Sequence, residues 1–449
     1  MRKQEQTKEV TPDLQFEVKY SMAAGIDVGS MSMMVSYPGQ GGKQLVKEYD
    51  AYTEDLAAMA ADLRQAGVTH VCMEATGVYW MAVYEILENS GFTVTLVNAR
   101  HYKNVAGQKT DVKDCQWLQQ LHTYGLLRAS HIPEEQYREL RTYIHERNML
   151  QKSKSDTLNR MHKVLTQMNI KVQHIISDIE GVAGMAIINN IATGATSVNA
   201  ILAGVNTKAL KASNDALEKS LNGIFKPHFI KVLKNHLTAY HFYKQQMLEW
   251  EKEIEALLLK ILPAGQDAVA PKKQKARKNQ YNFNLKEYLH RIAGVDLTEI
   301  DGLDENTVLT IISVVGLNMH KWQTANHFAS WLNLAARPNI TGGKVTGYQK
   351  RFTTNAATQA FRMAAQTMWQ QKGPLGQLYR RLAGKKGSPK AIKAVARRLA
   401  IIFYNMLKKQ TAYDPKIVAM DADMIRHQKI ARLQKEAEKL GCRVEIKTA

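Results

Sequence analysis

Two long apolar stretches with helical spacing constrain the fold of this chain more than any other feature of its sequence. In the longer one, apolar side chains recur every three or four residues from Leu233 to Ile261, and a proline follows shortly after. The shorter one runs from Leu158 to Met168 with the same spacing. Such spacing places the apolar side chains along one side of a helix, which then needs a partner helix. The pattern predicts two arms of an antiparallel coiled coil, or helical hairpin, over residues 136–262.

The rest of the second half is also predicted to be mainly helical. Residues 171–228 interrupt the two long stretches, are rich in alanine, asparagine and glycine, and predict a small helical cap. The remaining predicted segments are a disordered arm over 1–20, a basic linker over 263–295, a mainly helical domain over 296–412 and a charged helical tail over 413–449.

Residues 21–135 have a different pattern, in which short apolar runs alternate with helical ones. The predicted strands cover 22–28, 31–37, 43–49, 68–73 and 92–97, and the predicted helices cover 54–65, 78–89 and a segment that begins at Asp111. This alternation predicts a mixed or parallel sheet flanked by helices. At 449 residues, the chain is therefore expected to be a multidomain protein of the α/β plus α class.

The charge of the chain indicates the kind of partner it binds. Its formal net charge is +20 and its isoelectric point is about 9.6, with lysine and arginine spread along the whole sequence. An extended polyanion is the expected partner, and nucleic acid is favoured over a membrane surface. There is no uncharged apolar run of the ~18 residues that a membrane span requires, and no secretory signal pattern. We expect a soluble, cytoplasmic protein.

The three cysteines, Cys72, Cys115 and Cys442, form neither a CxxC pair nor a ligand-spaced cluster with histidine. This argues against a disulfide framework and against a structural zinc site. Cys72 lies inside an apolar run and is predicted to be a small core residue.

Four carboxylates fall where the predicted strands and helices of residues 21–135 meet. Asp27 and Glu74 end predicted strands, where open α/β sheets gather ligands. Asp111 and Asp114 open a predicted helix and, three residues apart, project from the same face of it. Magnesium prefers oxygen ligands, and a pair of ions can stabilise both the attacking and the leaving oxygens of a phosphodiester exchange. We predict a Mg²⁺ site with two ions, or with one in some states; the alternative is a set of surface acids and helix caps.

Several segments resemble a known family. GIDVGS at residues 25–30, MEATGVYW at 73–80 and KTDVKDCQW at 109–117 resemble the DEDD signature of the RuvC-like domain in bacterial transposases of the insertion-sequence one-ten and eleven-eleven family, the bridge-RNA-guided recombinases. FASWLNL at 328–334 with Arg337-Pro338, and Tyr413-Asp414-Pro415, resemble later stretches of the same family. The resemblance covers residues 21–415.

The resemblance implies a RuvC-like, RNase H-like domain over 21–135 with Asp27, Glu74, Asp111 and Asp114 as its metal tetrad. It also implies a coiled coil between the domains and a C-terminal transposase domain over 296–412. The implied activity is recombination of DNA for a bacterial insertion sequence, through a covalent link between a hydroxyl residue and DNA. The implied partners are a structured guide RNA encoded by the element, donor and target double-stranded DNA, and further copies of the chain in a dimer or tetramer. The implied location is the bacterial cytoplasm, at the nucleoid.

The family's nucleophile is a serine in a Ser-Gly turn that forms a 5′-phosphoserine link, and the matching residue here is Thr341. Threonine has the same hydroxyl, although its extra methyl group restricts χ1 and crowds in-line attack. The alternatives are that residues 341–344 form only a turn, or that Ser330 is the nucleophile. A second departure is Asp304, at a position where the helix-hairpin-helix-like segment of the family has a glycine.

Basic residues near the predicted site and turn are expected to hold phosphates without reading base sequence. They are Lys109, Arg337, Lys344, Lys350, Arg351, Arg362, Lys393 and Arg397. For some of them the alternative is a solvated helix face. Two other functions remain open: a RuvC-like nuclease that activates water without a covalent intermediate, and a nucleic-acid-binding protein that does not transfer strands.

Overall fold

The computed structural model describes most of the chain, in several segments. They are residues 17–98 except Gln40 and Gly42, then 111–207, 210–263, 279–349 and 355–415, with a few positions between 430 and 442. The chain divides into two compact units, residues 1–132 and 133–449.

The first unit is built on a five-stranded mixed sheet. Its strands are β1 (Ala23–Val28), β2 (Ser32–Pro38), β3 (Gln44–Asp50), β4 (His70–Glu74) and β5 (Thr93–Val97). The order is β3-β2-β1-β4-β5, with β1, β4 and β5 mutually parallel and β2 antiparallel to both of its neighbours. The predicted mixed sheet is therefore confirmed, and its central strand is β1.

Helices cover both faces of this sheet. Helices α1 (Thr53–Gln65) and α2 (Trp80–Asn89) pack on one face, where their apolar side chains share a core with Ile26 of β1. Helix α3 (Asp111–Thr123) packs on the other face. Burial from both sides explains why the β1 sequence is apolar almost throughout rather than alternating.

The second unit contains two long helices, α4 (Glu135–Gln167) and α9 (Pro227–Ile261). Leu140, near the start of α4, shares a core cluster with Leu257, near the end of α9. At the other end, Leu165 of α4 clusters with Leu233 of α9. The two helices are thus antiparallel, as in the predicted hairpin, and their supercoiling into a coiled coil stays a prediction.

A buried ion pair joins the two long helices near their middle. Arg147 donates from Nε and Nη2 to Glu251 Oε1, at 3.0 and 2.7 Å. The two side chains are only 2% and 5% exposed, and the guanidinium lies 4.1 Å from the ring centroid of Tyr281. A buried charge of this kind is strongly destabilising when its partner is removed, so the pair restricts how the helices can be aligned.

The predicted helical cap is present where α4 ends and α9 begins. It consists of α5 (Val172–Ile175), α6 (Val182–Ala192), α7 (Val198–Ile201) and α8 (Asn214–Leu221). Their buried isoleucines and leucines share one core cluster with the adjoining ends of the long helices.

A larger helical core forms around the opposite end of the two long helices, where α4 begins and α9 ends. Its helices are α10 (Leu285–Ala293), α11 (Glu305–Val315), α12 (Ala325–Trp331), α13 (Ala356–Thr367), α14 (Pro374–Lys386) and α15 (Ser388–Lys409). One of them differs from the sequence analysis, because α10 lies within the predicted 263–295 linker. Tyr281, Phe283 and Leu289 are buried in this core, so the end of that segment is part of the packed domain.

A two-stranded antiparallel hairpin extends from this core, where only turns were predicted. Its strands are β6 (Pro338–Thr341) and β7 (Lys344–Tyr348). Most of the predicted tail lies outside the described residues. Among the helices that the structure describes, none combines the length and the apolar character needed to cross a membrane.

Candidate metal centre and nucleophile hairpin

Asp27 and Glu74 lie side by side at the carboxyl ends of two neighbouring parallel strands. The last registered pair of β1 and β4 is Ile26 with Met73, so the next residue of each strand is at the same level. Opposed residues of adjacent strands point to the same side, and the strands are about 4.8 Å apart. The two predicted carboxylates therefore share one face of the sheet.

That face is the one covered by α3. Gly25 lies two residues before Asp27 and points the same way, because side chains alternate along a strand. A Cβ atom at Gly25 would overlap the carbonyl oxygen of Cys115 and the backbone nitrogen of Gln119. Asp27 therefore projects toward the helix that carries Asp114.

The same argument applies to β4. The thiol of Cys72, two residues before Glu74, donates to the Leu118 carbonyl oxygen at 3.3 Å. Cys72 is fully buried, as predicted for a core residue. Glu74, only 6% exposed, therefore also lies on the side of α3.

Helix α3 runs antiparallel to β1, and this places its first turn at the acidic edge of the sheet. Its last residue, Thr123, accepts at its carbonyl oxygen from the backbone N–H of Lys19, which precedes β1, at 2.8 Å. Its first turn, with Asp111 and Asp114, consequently lies toward the carboxyl ends of β1 and β4. The N-terminal end of a helix also carries partial positive charge, which favours anionic groups there.

The environment of Cys115 connects the two sides of the site. Burial, with smaller contributions from the negative charges of Asp27 and Asp114, raises the pKa of the Cys115 thiol to about 11. Both carboxylates therefore lie close enough to this one thiol to disfavour its anion. The structure thus brings Asp27 and Asp114 into the same neighbourhood, from elements more than eighty residues apart in sequence.

The donor chemistry of this region suits magnesium, because its acidic side chains supply oxygen ligands. The side chain of Asp111 is outside the described part of the structure. Among the side chains that are described, no three histidine, cysteine or acidic groups are gathered closely enough to hold an ion. The structure therefore places Asp27, Glu74 and Asp114 toward one another without closing them into a coordination sphere.

Thr341 ends strand β6 and pairs across the hairpin with Lys344. The two residues between them, Gly342 and Gly343, have φ values of +56° and +73°. Positive φ at both central positions is the geometry of a tight hairpin turn that glycine adopts without strain. The predicted Gly-Gly turn is present, and it leaves Thr341 exposed at the end of the hairpin.

Ser330, the alternative nucleophile, and Asp304, the departure from the family pattern, both have structural roles in the helical core. Ser330 lies within α12 and is partly buried. Asp304 is the N-cap of α11: its Oδ1 accepts from the backbone nitrogen and the hydroxyl of Thr307, at 2.8 and 2.6 Å. This cap gives the aspartate at this position a structural role, and it places a negative charge at the N-terminal end of α11.

The predicted phosphate-binding residues have different surroundings. Arg337, Lys344 and Arg362 are exposed, whereas Lys393 and Arg397 of α15 are partly buried. Arg397 donates from Nη2 to Asn326 Oδ1 at 3.0 Å, which ties α15 to α12. Lys109, Lys350 and Arg351 lie outside the described residues.

Gln119 supports the site but was not identified from the sequence. Its Nε2 donates to the Ala23 carbonyl oxygen at 3.0 Å, and its Oε1 accepts from Ser36 Oγ and Gln44 Nε2, both at 2.6 Å. These bonds fix α3 to three strands, because β1, β2 and β3 each contribute one partner. The available signal was its position on the helix side that also carries Cys115 and Leu118.

Comparisons with known proteins now give this geometry a context. A family model described as a transposase, of the DEDD type in IS110 elements, matches residues 24–170. A second, described as the transposase IS116/IS110/IS902 family, matches residues 295–380. The first match contains all four predicted metal ligands, and the second contains Thr341. No match was found among curated proteins.

Proposed function

This chain belongs to the IS110 family of transposases, and from that premise we propose that it is an RNA-guided DNA recombinase of a bacterial insertion sequence. Asp27, Glu74, Asp111 and Asp114 would form its DEDD metal site, and Thr341 would be its nucleophile. The observation that carries the proposal is the common orientation of Asp27 and Glu74 toward the first turn of α3. Three elements distant in sequence thereby direct acidic groups to one edge of the sheet.

Mg²⁺ bound by these carboxylates would supply positive charge to the oxygens that attack and leave the scissile phosphate. The carboxylates themselves orient the bound group and balance its charge. The side-chain hydrogen bonds of Gln119 hold α3, and with it Asp111 and Asp114, near the strand ends. Such rigid support is what keeps ligands in a productive geometry.

In the covalent step, the Thr341 hydroxyl oxygen forms a bond to phosphorus while the bond from phosphorus to the 3′ oxygen breaks. The threonine proton passes to solvent, and the departing 3′ oxygen takes a proton from solvent. A 3′-hydroxyl of the second DNA strand then attacks the phosphothreonine, restores a phosphodiester and releases the threonine. The exposed position of Thr341 at the end of the hairpin supports this role.

The proposal also assigns a role to each part of the chain and names the partners that the chain would bind. Residues 21–135 would be the RuvC-like domain, 136–262 the coiled coil and 296–412 the transposase domain; the strand order of the sheet and the antiparallel long helices support this division. A guide RNA would select donor and target DNA in the bacterial cytoplasm, at the nucleoid. A dimer or tetramer of the chain would carry out the exchange, and the net charge of +20 favours the binding of both nucleic acids.

Threonine in place of the family's serine keeps a second function open. The β-methyl group crowds the attacking oxygen, which would favour a RuvC-like nuclease in which water attacks, or a relative that binds nucleic acid without strand transfer.

Glu74→Gln tests the metal site, because it keeps the shape of the side chain and removes its charge. With cognate RNA and DNA, we expect Mg²⁺-dependent strand exchange to fall by roughly 100-fold. The rise in unfolding temperature on adding Mg²⁺ should shrink as well. Glu54→Gln is the matched control, since Glu54 is exposed on α1, on the opposite face of the sheet. Unchanged activity and unchanged Mg²⁺ stabilisation in Glu74→Gln would contradict the proposed site.

A further inference from the structure

A cleft in the second unit lies between helices α4, α11 and α13, and neither the metal centre nor the hairpin includes it. Its volume is about 390 Å³, within the range of roughly 300–1,000 Å³ that small-molecule sites occupy. Uncharged polar side chains from all three helices line it: Asn148, Gln151, Asn306, Thr307, Thr310 and Gln359.

The cleft offers a ligand little positive charge. Of the described residues that line it, Arg147 is the one with a charge. Its guanidinium already donates to Glu251, to Gln151 Oε1 at 2.7 Å and to the Asn279 carbonyl oxygen at 3.3 Å. Lysine and arginine supply most of the positive charge that binds nucleic-acid phosphates, so a cleft whose arginine is already paired suits a neutral group.

Asn306 indicates that the ligand of this cleft is a hydrogen-bond donor. Its Nδ2 donates to the Asn279 carbonyl oxygen at 3.4 Å, which fixes the orientation of the amide. Its Oδ1 is buried and accepts no hydrogen bond within the described structure. A buried acceptor without a donor is costly, so a ligand that offers an N–H group would satisfy it.

The apolar part of the lining favours a flat ligand. Tyr281, Ala356, Ala360 and Met363 complete the walls, and Met363 is 52% exposed on α13, one residue after Arg362. A planar ring with N–H groups at its edge matches this combination of apolar walls and amides. Nucleobases have this chemistry, and proteins commonly recognise unpaired bases by stacking and by hydrogen bonds to their edges.

We infer that this cleft binds one unpaired nucleobase, and that an N–H group at the edge of the base donates to Asn306. The inference rests on the nucleic-acid binding contained in the proposed function. It is independent of the metal site and of Thr341.

The test uses short oligonucleotides with an abasic backbone, in which a single central position carries adenine, thymine or no base. Each is made as DNA and as RNA, and its affinity for the full chain is measured by fluorescence anisotropy without Mg²⁺. Since every probe has the same phosphates, differences report the base alone. We expect adenine to strengthen binding roughly tenfold over the abasic strand, and thymine, which also has an edge N–H group but only one ring to stack, to strengthen it by a smaller factor. If the gain is larger with the DNA probes, DNA supplies the base; if it is larger with the RNA probes, RNA supplies it.

Two variants and a matched control locate the effect. Gln359→Ala and Asn306→Ala should lose most of the adenine gain while binding the abasic strand as before. Gln359 is exposed, so its substitution tests the cleft even where Asn306→Ala disturbs folding. Gln366→Ala, on the exposed side of the same helix α13 and outside the cleft, should keep the gain.

An adenine gain that is absent from the wild type, or that survives in Gln359→Ala, would overturn the inference. Failure of the proposed recombination is a separate result. If the chain showed no strand exchange but its adenine gain still depended on Gln359, the proposed recombination would be contradicted and base binding in the cleft would be supported.

Discussion

Gly25 determines how closely α3 approaches the sheet. It lies on the central strand β1, and its missing side chain leaves room for the backbone of α3 at Cys115 and Gln119. Because the helix is in direct backbone contact there, its first turn is held near Asp27. A residue without chemistry of its own thus positions two of the proposed metal ligands.

Gly25→Ala should therefore destabilise the first unit by roughly 3 kcal/mol, since overpacking against backbone cannot relax by rotating a side chain. Strand exchange should fall with it, because Asp111 and Asp114 are displaced together with α3. Urea unfolding and the exchange assay measure the two effects.

Gly384→Ala is the control for this substitution. A Cβ atom at Gly384 meets no neighbour within 4 Å, and its place within α14 means that alanine should stabilise the helix by up to about 1 kcal/mol. Equal stability of Gly25→Ala and the wild type would show that α3 does not depend on this contact.

Single residues differed in how far the sequence could predict them. Asp27 and Glu74 were predictable because an acid directly at the end of an apolar run marks a strand end. The turn after Thr341 was predictable because adjacent glycines permit positive φ. The role of Gly25 was not, because its neighbours Cys115 and Gln119 are ninety or more residues away in the sequence, and a single sequence contains no record of such contacts.

The C-terminal end of helix α3 packs into the first unit. Near its C-terminal end, His122 is 3% exposed and lies beside the rings of Tyr20 and His70, whose centroids are 4.9 and 6.4 Å away. Its Nε2 is buried and has no hydrogen-bond partner in the described structure. Burial, with a smaller contribution from the charge of nearby His70, lowers the pKa of His122 to about 4.

This histidine makes the stability of the first unit depend on pH. Between pH 6.5 and 4 the unfolded chain binds a proton at His122 that the folded chain does not, so stability rises with pH across this range. The expected contribution is on the order of 3 kcal/mol. Urea midpoints measured from pH 4 to 7 should rise less steeply in His122→Gln than in the wild type.

The matched control is His320→Gln, because His320 is exposed in the second unit. It should keep the pH slope of the wild type. If His122→Gln also kept that slope, the buried neutral state of His122 would be refuted.

At the scale of elements, the sequence predicted those with strong periodicity. The strands of the first unit and the two long helices follow from patterns of two and of three or four residues. Helix α10 was merged with the basic stretch before it, although Leu285, Tyr288 and Leu289 have helical spacing. Strands β6 and β7 were missed because both of their faces are largely exposed, so no apolar face imposes an alternation.

The molecule as a whole is strongly basic, and its affinity for DNA should depend steeply on salt. Arg337 and Lys344 are exposed at the hairpin that carries Thr341. If each holds a phosphate, Arg337→Ala and Lys344→Ala should each reduce the slope of log K against log salt by about 1. Binding isotherms at several salt concentrations measure this slope.

Lys219→Ala supplies the control for the salt experiment. Lys219 belongs to the helical cap and pairs with Asp215 at 2.8 Å on α8, so its loss should leave the slope unchanged. An unchanged slope in both Arg337→Ala and Lys344→Ala would mean that the hairpin does not hold the DNA backbone.

The family and the broad class of the whole chain could be predicted from sequence motifs, because the acidic segments and the Thr-Gly-Gly turn are local. The proposed metal ligands lie in the first unit and the proposed nucleophile, Thr341, lies in the second; no local pattern in the sequence links the two sets of residues.

The most direct test of the account is to trap the covalent intermediate. The full chain is incubated with its cognate RNA, DNA and Mg²⁺, denatured, and separated by size to detect protein joined to a 5′ phosphate. We expect an adduct with the wild type and with Thr341→Ser, which retains the hydroxyl, and no adduct or strand exchange with Thr341→Ala. Undiminished DNA cleavage by Thr341→Ala, without any adduct in the wild type, would contradict the account and identify water as the nucleophile.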